Sequence, residues 1–499
     1  MTLKNKTFYL TLSLITIGLF LNGPLNALEY DGYFRSGIGV SKGDSQQVCY
    51  KAVGSEGGIG QKHRFGNECD TYLELGLSEE YRVGRSLTDP SFKAYVRLGF
   101  RSQGQRDWES SEFNSKVDST LDGETVNSEL TSNKDSQAVF ALREAYVESA
   151  NFLGPSSSTK AWVGKRFYRR RDLYMLDFYI YENVGPGFGF ENIDVGYAKT
   201  HFAIMRNTPY QGSDVEETDG PAQTNFDLRQ SDIAVPGGGK IELIAIYGQS
   251  SHRGNRTSEK RWQSLNGWQG GIVHEQEDFL GGKNMFALQY GRGIYGAINR
   301  RESEAPDSGY WSASLINQYG GYGSQLVASD DIAQAEAIKK SSTLRVSDEM
   351  IINPSESYSL GAVLFYQQLD FGESLSRANN DQIMQRPDKK ELTLGVRPVM
   401  HLTDTLDLAF EYGYTQVANA IMAQNNQGDF TFYDTKLQKL TIAPQISSGR
   451  EFWAYSKPQL RLFYTKAFWD NASKGHVGGD VYKTDLAGWS AGAQVEVWW

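Results

Sequence analysis

Residues 488–499 read GWSAGAQVEVWW. Taken at the two-residue period of a strand, Trp489, Ala491, Ala493, Val495, Val497 and Trp499 form an apolar row with an aromatic at each end. Ser490, Gly492, Gln494 and Glu496 form a polar row. An apolar face about ten residues long with aromatic ends is what a strand of a transmembrane β-barrel shows to lipid. Trp498 then falls on the polar side, among residues that should line water, and its presence there needs a reason.

The bulk composition permits a membrane barrel. Of 499 residues only 39% are hydrophobic, glycine is abundant at 52, aromatics reach 13%, and the mean hydropathy is −0.49. Those values exclude a helical membrane protein. They do not exclude a barrel, whose strands give every second residue to a polar interior. A formal net charge of −10 supplies no basic face for phosphates, so nucleic acid is excluded as a partner.

The long apolar run lies near the start. After Lys4 and Lys6 comes FYLTLSLITIGLFL, residues 8–21, and then NGPLNA ending at Ala27. Residues 1–27 read as a secretory signal peptide, with the mature chain beginning near Leu28. The alternative, a single anchoring helix, has too short an apolar run. No later stretch reads as a stop-transfer helix, so the exported chain is either soluble or a barrel. Cys49 and Cys69 are the whole cysteine inventory. In an exported chain they read as a disulfide closing a loop of about twenty residues, a constraint of roughly 3 kcal/mol in the chain-entropy model. The alternative, a metal site, lacks a CxxC or a second ligand pair.

Strand patterns recur to the end of the chain. In TLDLAFEYGY, residues 405–414, Leu406, Leu408, Phe410, Tyr412 and Tyr414 alternate with Asp407, Ala409, Glu411 and Gly413. In ECDTYLELGL, Leu73, Leu75 and Leu77 oppose Asp70, Tyr72 and Glu74; in PQLRLFYT, Leu460, Leu462 and Tyr464 oppose Gln459, Arg461 and Thr465. Roughly seventeen to nineteen such segments suit one large barrel over residues 28–499. Long polar stretches at 110–137, 208–225, 250–266, 296–308, 320–339, 370–389, 418–434 and 469–484 read as external loops, none with a sustained helical period.

The enzymatic motifs fail. GRGIYG, residues 291–296, fits GxGxxG, but no helix follows to hold a pyrophosphate. His274 and Glu275 lack the second histidine of a zinc site, and among six scattered histidines no nucleophile and base stand out. The expectation is no catalysis, no metal and no cofactor.

WVGKRFYRRRDLYMLDFYIYENVGPGFGFENIDVGYAK, residues 162–199, is too charged to face lipid and too aromatic for an ordinary loop. Its opposed charges suit a loop folded into a pore to narrow it. This stretch resembles the constriction-loop region of the maltoporins, the sugar-specific trimeric porins. DGYFRSGIG (31–39), HRFGNECDTYLEL (63–75), RDWE (106–109), LREAYV (142–147) and the terminal GAQVEVWW follow in that family's order. The resemblance implies a barrel of about eighteen antiparallel strands with an inward-folded constriction loop, forming homotrimers in the outer membrane of a Gram-negative bacterium.

The same resemblance implies an aromatic slide for oligosaccharides. Tyr33, Tyr72 and Trp498 match slide members, Trp108 matches the tryptophan that reaches in from a neighbouring subunit, and Tyr179 matches the tyrosine of the constriction. The polar track would be Arg35, Arg64, Glu74, Arg143, Arg170, Asp172 and Asp177, and Cys49 and Cys69 match the family's loop disulfide. Independently, the two-residue period places Tyr33 with Arg35, Tyr72 with Glu74 and Trp498 with Glu496 on polar faces. Trp498 would therefore face the lumen and stack on sugar, while Trp499 meets lipid.

Two slide positions depart from the family. Its tryptophan in AYSKPQLR is Tyr455, still aromatic, and a phenylalanine farther along is Lys283 in GGKNMF. The stretch 110–137 is also longer than usual. The expected function is facilitated diffusion of maltose and maltodextrins. The alternatives are a porin for another sugar such as sucrose or β-glucosides, a general diffusion porin, and an outer-membrane enzyme or surface adhesin.

Overall fold

A computed structural model describes residues 28–55, 62–103, 119–121, 124–126, 138–154, 157–207, 222–251, 265–299, 311–313, 332–372, 375–377, 383–385, 387–424, 430–450 and 458–499. The expected signal peptide, Trp108, Tyr455 and nearly all of 110–137 lie outside these residues. Eighteen strands form one sheet. They are β1 Glu29–Ser41, β2 Asp70–Arg82, β3 Ser91–Gln103, β4 Ala138–Ala150, β5 Lys160–Leu173, β6 Phe178–Asp194, β7 Lys199–Asn207, β8 Ala222–Ala234 and β9 Lys240–Ser251. Then come β10 Leu265–Phe279, β11 Gly282–Gly293, β12 Ser342–Ser355, β13 Tyr358–Asp370, β14 Lys389–His401, β15 Leu406–Gln424, β16 Phe430–Ser447, β17 Gln459–Trp469 and β18 Ala487–Trp498.

Each strand pairs antiparallel with its chain neighbour, and β18 pairs with β1 in the register Tyr33↔Trp498 and Arg35↔Glu496. The sheet is thus a closed barrel with no free edge, the condition a strand architecture must meet to sit in lipid. One rim carries tight turns. Leu280 and Gly281, both at positive φ (50° and 75°), join β10 to β11 and match the two-residue turn whose twist suits a hairpin. The other rim carries most of the long connections.

The terminal segment folds as its pattern dictates: Ser490, Gln494 and Glu496 are buried inside, and Trp499 is exposed and seated on Gly32. Outside, Leu460, Leu462 and Tyr464 of β17 and Leu440, Ile442 and Ile446 of β16 remain exposed, as an apolar band for lipid requires.

The interior departs from the simple expectation of a polar lining. Strand β4 pairs with β5 only from Ala145↔Lys165 to Ala150↔Lys160, and β6 pairs with β7 only from Gly187 onward. Beyond Lys165 and before Gly187, β5 and β6 pair only with each other, through register shifts at Tyr168/Arg171 and Arg171/Asp172. This hairpin leaves the wall and crosses the lumen. Its buried side, Leu173, Phe178 and Ile180, packs against inward-facing Ile244, Val273, Ile351, Val363 and Phe365. Where the hairpin rests, the wall is apolar because it buries protein rather than water.

Two loop expectations need correction. Within 320–339 no helical period was expected, yet α1, Ile332–Lys340, forms there. With only Ala337 and Ile338 buried among its described side chains, its apolar stripe is too short to register as a period. The stretch 418–434 is also mostly strand, since β15 extends to Gln424 and β16 starts at Phe430. Elsewhere short hairpins, Ala297–Asn299 with Trp311–Ala313 and Leu375–Arg377 with Ile383–Gln385, lie within the long connections.

Candidate functional site

Strands β18, β1 and β2 set three rings side by side. The register Tyr33↔Trp498 brings those ring centroids to 4.7 Å, and Tyr33 lies 5.9 Å from Tyr72. All three are half-buried, on a wall where Arg97, Arg101, Arg143 and Tyr146 are half-buried too. On the far side of the hairpin, by contrast, luminal Thr343, Arg345, Arg397 and Glu411 are wholly buried. The inward side chains that keep part of their surface open are thus concentrated on β1–β4 and at Trp498.

Charged groups flank the two tyrosine rings. Tyr33 Oη donates to Glu496 at 3.0 Å and accepts from Arg64 Nη2 at 2.9 Å. Tyr72 Oη donates to Glu74, which also accepts from Arg97 Nη1 at 3.0 Å and has Arg143 Nε at 3.8 Å. Arg35 lies over the Tyr72 ring at 5.4 Å. It grips Asp70 with two bonds of 2.9 and 3.0 Å and reaches Asp177 at 2.7 Å and Glu68 at 3.1 Å. Opposed arginines and carboxylates along a row of rings offer donors and acceptors beside apolar faces.

The hairpin supplies the opposite bank. Arg170 stacks over Tyr179 at 4.3 Å and over Phe167 at 4.5 Å, and Arg143 reaches the same Phe167 at 4.8 Å. Asp172 is registered opposite Tyr179. Burial acts to raise the Asp177 carboxyl, but the Arg35 and Arg64 guanidiniums outweigh it and hold the group below its ordinary range. Tyr33, Tyr72, Tyr179, Trp498 and all seven expected polar-track residues are thus gathered around one narrowing. Lys283 is set apart, near the tight-turn rim, paired with Glu277 at 3.0 Å and with Glu275 at 3.8 Å.

A second inward element borders the narrowing. Cys49 and Cys69 are disulfide-bonded, Cα atoms 6.0 Å apart, and close the first long connection. Its residues 62–68 enter the lumen. Phe65 is clasped by Arg397 at 3.8 Å and Arg461 at 4.4 Å, and Lys62 pairs with Glu391. Burial drives the His63 imidazole down to about 3, so it stays neutral. The sequence reading found Arg64 and the disulfide but missed Lys62, His63, Phe65 and the hairpin's Tyr174. HRFGNEC, in which a bulky apolar residue follows two basic ones inside a cysteine-closed loop, carried the one available signal.

One array merits exclusion as an active site. Ser359 Oγ lies 2.7 Å from His401 Nε2, and His401 Nδ1 lies 2.7 Å from Asp407. The serine is fully buried and also donates to Asn353 Oδ1 at 2.6 Å, while Asp407 accepts from Ser447 at 2.6 Å. The group ties β13 to β16 near the tight-turn rim, with the serine proton committed to Asn353 rather than to His401. Among the described residues, no group of three or more His, Cys, Asp or Glu is placed to hold a metal ion.

Comparison with known proteins gives the family. The family model described as LamB porin matches residues 28–499. Among solved structures, OccAB2 of Acinetobacter baumannii aligns over 95% of this chain and 98% of its own, at 9% identity and a TM-score of 0.42. OpdK of Pseudomonas aeruginosa, solved with vanillate, aligns over 96% and 100% at 10% identity and 0.38. The trimer form of OmpT from Vibrio cholerae aligns over 95% and 99% at 9% identity and 0.35. Likeness this distant says nothing about which solute this chain carries. The match over 28–499 and the closed eighteen-stranded barrel agree: the chain belongs to the LamB porin family and is an outer-membrane channel.

Proposed function

We propose that this channel is sugar-selective and passes maltose and maltodextrins by facilitated diffusion, without chemistry or energy input. The observation that carries the reading is the unbroken contact Tyr72–Tyr33–Trp498, with Tyr33 and Tyr72 each hydrogen-bonded to a carboxylate and set beside arginines. A pyranose has C–H faces that stack on aromatic rings and a rim of hydroxyls that donate and accept. Arginine donates to that rim and carboxylate accepts, replacing water the sugar sheds. Permeation requires several such sites, each weak enough to release its sugar to the next. In this reading Trp108 and Tyr455 extend the slide, the channel works as a homotrimer, and residues 1–27 direct export and are removed.

Single-channel current through the refolded protein in a planar bilayer tests the proposal, with maltose, maltotriose, longer maltodextrins and sucrose added in turn. Saturable block that strengthens with maltodextrin length is expected. Replacing Tyr72 or Trp498 by Ala should weaken that block about 3- to 10-fold, the worth of one aromatic stacking contact, with the pore still conducting. Unchanged sugar affinity in both variants refutes the slide. Lys283 favours a second reading, since an ion-paired lysine replaces an aromatic where the family continues its slide. Stronger block by sucrose or a β-glucoside than by maltotriose would establish that alternative, and current that no sugar blocks would mark a general diffusion porin.

A further inference from the structure

The aromatic row does not end at Trp498. Its ring lies 5.9 Å from that of Tyr174, at the tip of the inward hairpin. Tyr174 is only 1% exposed, so it cannot itself meet a solute. It lies behind Trp498, with Arg64 over its ring at 4.9 Å and Arg397 at 5.4 Å.

The tip is held from the opposite wall. Glu349, on β12, accepts the backbone N–H of Tyr174 at 2.9 Å and that of Met175 at 2.8 Å, one on each carboxylate oxygen. Those donors open the single turn Tyr174–Leu176, whose carbonyl end is tied by Lys62 N–H to Leu176 O at 2.7 Å. A carboxylate taking two backbone donors fixes both position and orientation of the peptide it grips. A continuous line of contact therefore runs from Glu349 through the Tyr174 backbone to the Tyr174 ring and on to Trp498.

We infer that Glu349 and Tyr174 are positioning residues for the sugar slide: Glu349 fixes the hairpin tip, and the Tyr174 ring braces Trp498 at the angle that meets a pyranose. This rests on the slide reading proposed above. It assigns to a residue on the far wall, without access to solute, a share in sugar affinity. A slide that must stack a ring in passing needs its aromatics held, because a mobile indole would have to be ordered again by each sugar.

The test compares Tyr174→Phe, Tyr174→Leu and Glu349→Gln with the parent and with Trp498→Ala, in bilayers with maltotriose. Open-channel conductance is read beside sugar block. Tyr174→Leu is expected to weaken block about 3- to 10-fold, the range of one aromatic contact, and Tyr174→Phe to keep it. Glu349→Gln, which replaces one acceptor oxygen by an amide donor, should raise the sugar off-rate, and adding it to Tyr174→Leu should cost less than the two separately. Equal affinity in Tyr174→Leu and Tyr174→Phe, with Trp498→Ala impaired, overturns the bracing role while the slide stands. Unchanged affinity in Trp498→Ala overturns both. Should Glu349→Gln fail to assemble, the two Tyr174 variants still decide the matter.

Discussion

His63 sits where a proton would be felt. It lies within the disulfide-closed connection, against Gly413, with Thr415 at 3.4 Å; Glu411, Lys439 and Lys62 are the charged groups around it. Burial depresses its folded pKa to about 3 from the ordinary 6.5. A base whose charged form is disfavoured on folding contributes full stability above its ordinary pKa and loses it as pH falls toward the depressed one. The seat of residues 62–68 should thus hold at neutral pH and loosen between about pH 6.5 and 3, read as rising open-channel current on acidification. His63→Gln should abolish that rise between those limits; an unchanged acid response would show that another group drives it. At this scale the sequence was legible where side chains obey the strand period. Trp498, Tyr33 and Tyr72 were placed on the lumen by alternation alone. His63, Phe65 and Tyr174 were not, because their roles arise when a loop and a hairpin meet strands hundreds of residues away, as Phe65 meets Arg461.

At the scale of elements, two inward segments convert a wide barrel into a narrow passage, and they are held differently. The hairpin of β5 and β6 has its own ladder and an apolar side buried against the wall. Residues 62–68 have no strand of their own. They depend on ion pairs, on Phe65 between two guanidiniums, and on closure by Cys49–Cys69. Opening a loop of that length is worth about 3 kcal/mol in the chain-entropy model, enough to release a segment without a ladder. Cys49→Ser with Cys69→Ser should therefore increase ion conductance and its fluctuations while the barrel's heat resistance changes little. Conductance equal to the parent's would show that the side-chain contacts suffice. Strands such as β15 and β17 were readable because one face meets lipid. Ile244, Ile246 and Val273 were harder to read, since an inward face that packs on protein is as apolar as the outward one. The short helix α1 offered too few buried positions to stand out.

For the whole molecule, closure of β18 on β1 leaves no edge, so nothing in the ladder calls for a partner chain. Only the proposed sugar slide would ask for one. The wall of β18 and β1–β4 carries the candidate slide, and the connection after β3 bears Trp108, the residue whose resemblance places it in a neighbour's channel. If three chains pack so that each lends that connection to the next, the mouth of every passage is completed by another subunit, and assembly becomes part of sugar selection rather than a matter of stability alone. A heterologous contact of this kind closes into a ring, in which each subunit both gives and receives. Cross-linking of the detergent-extracted protein should then give a trimer. Trp108→Ala should weaken maltotriose block about 3- to 10-fold, one aromatic contact, with trimer and conductance intact. Trimers mixed from parent and Trp108→Ala chains should show parent-like and weakened channels side by side. A uniform, intermediate affinity in such mixtures, or parent affinity in the pure variant, would place Trp108 outside the passage.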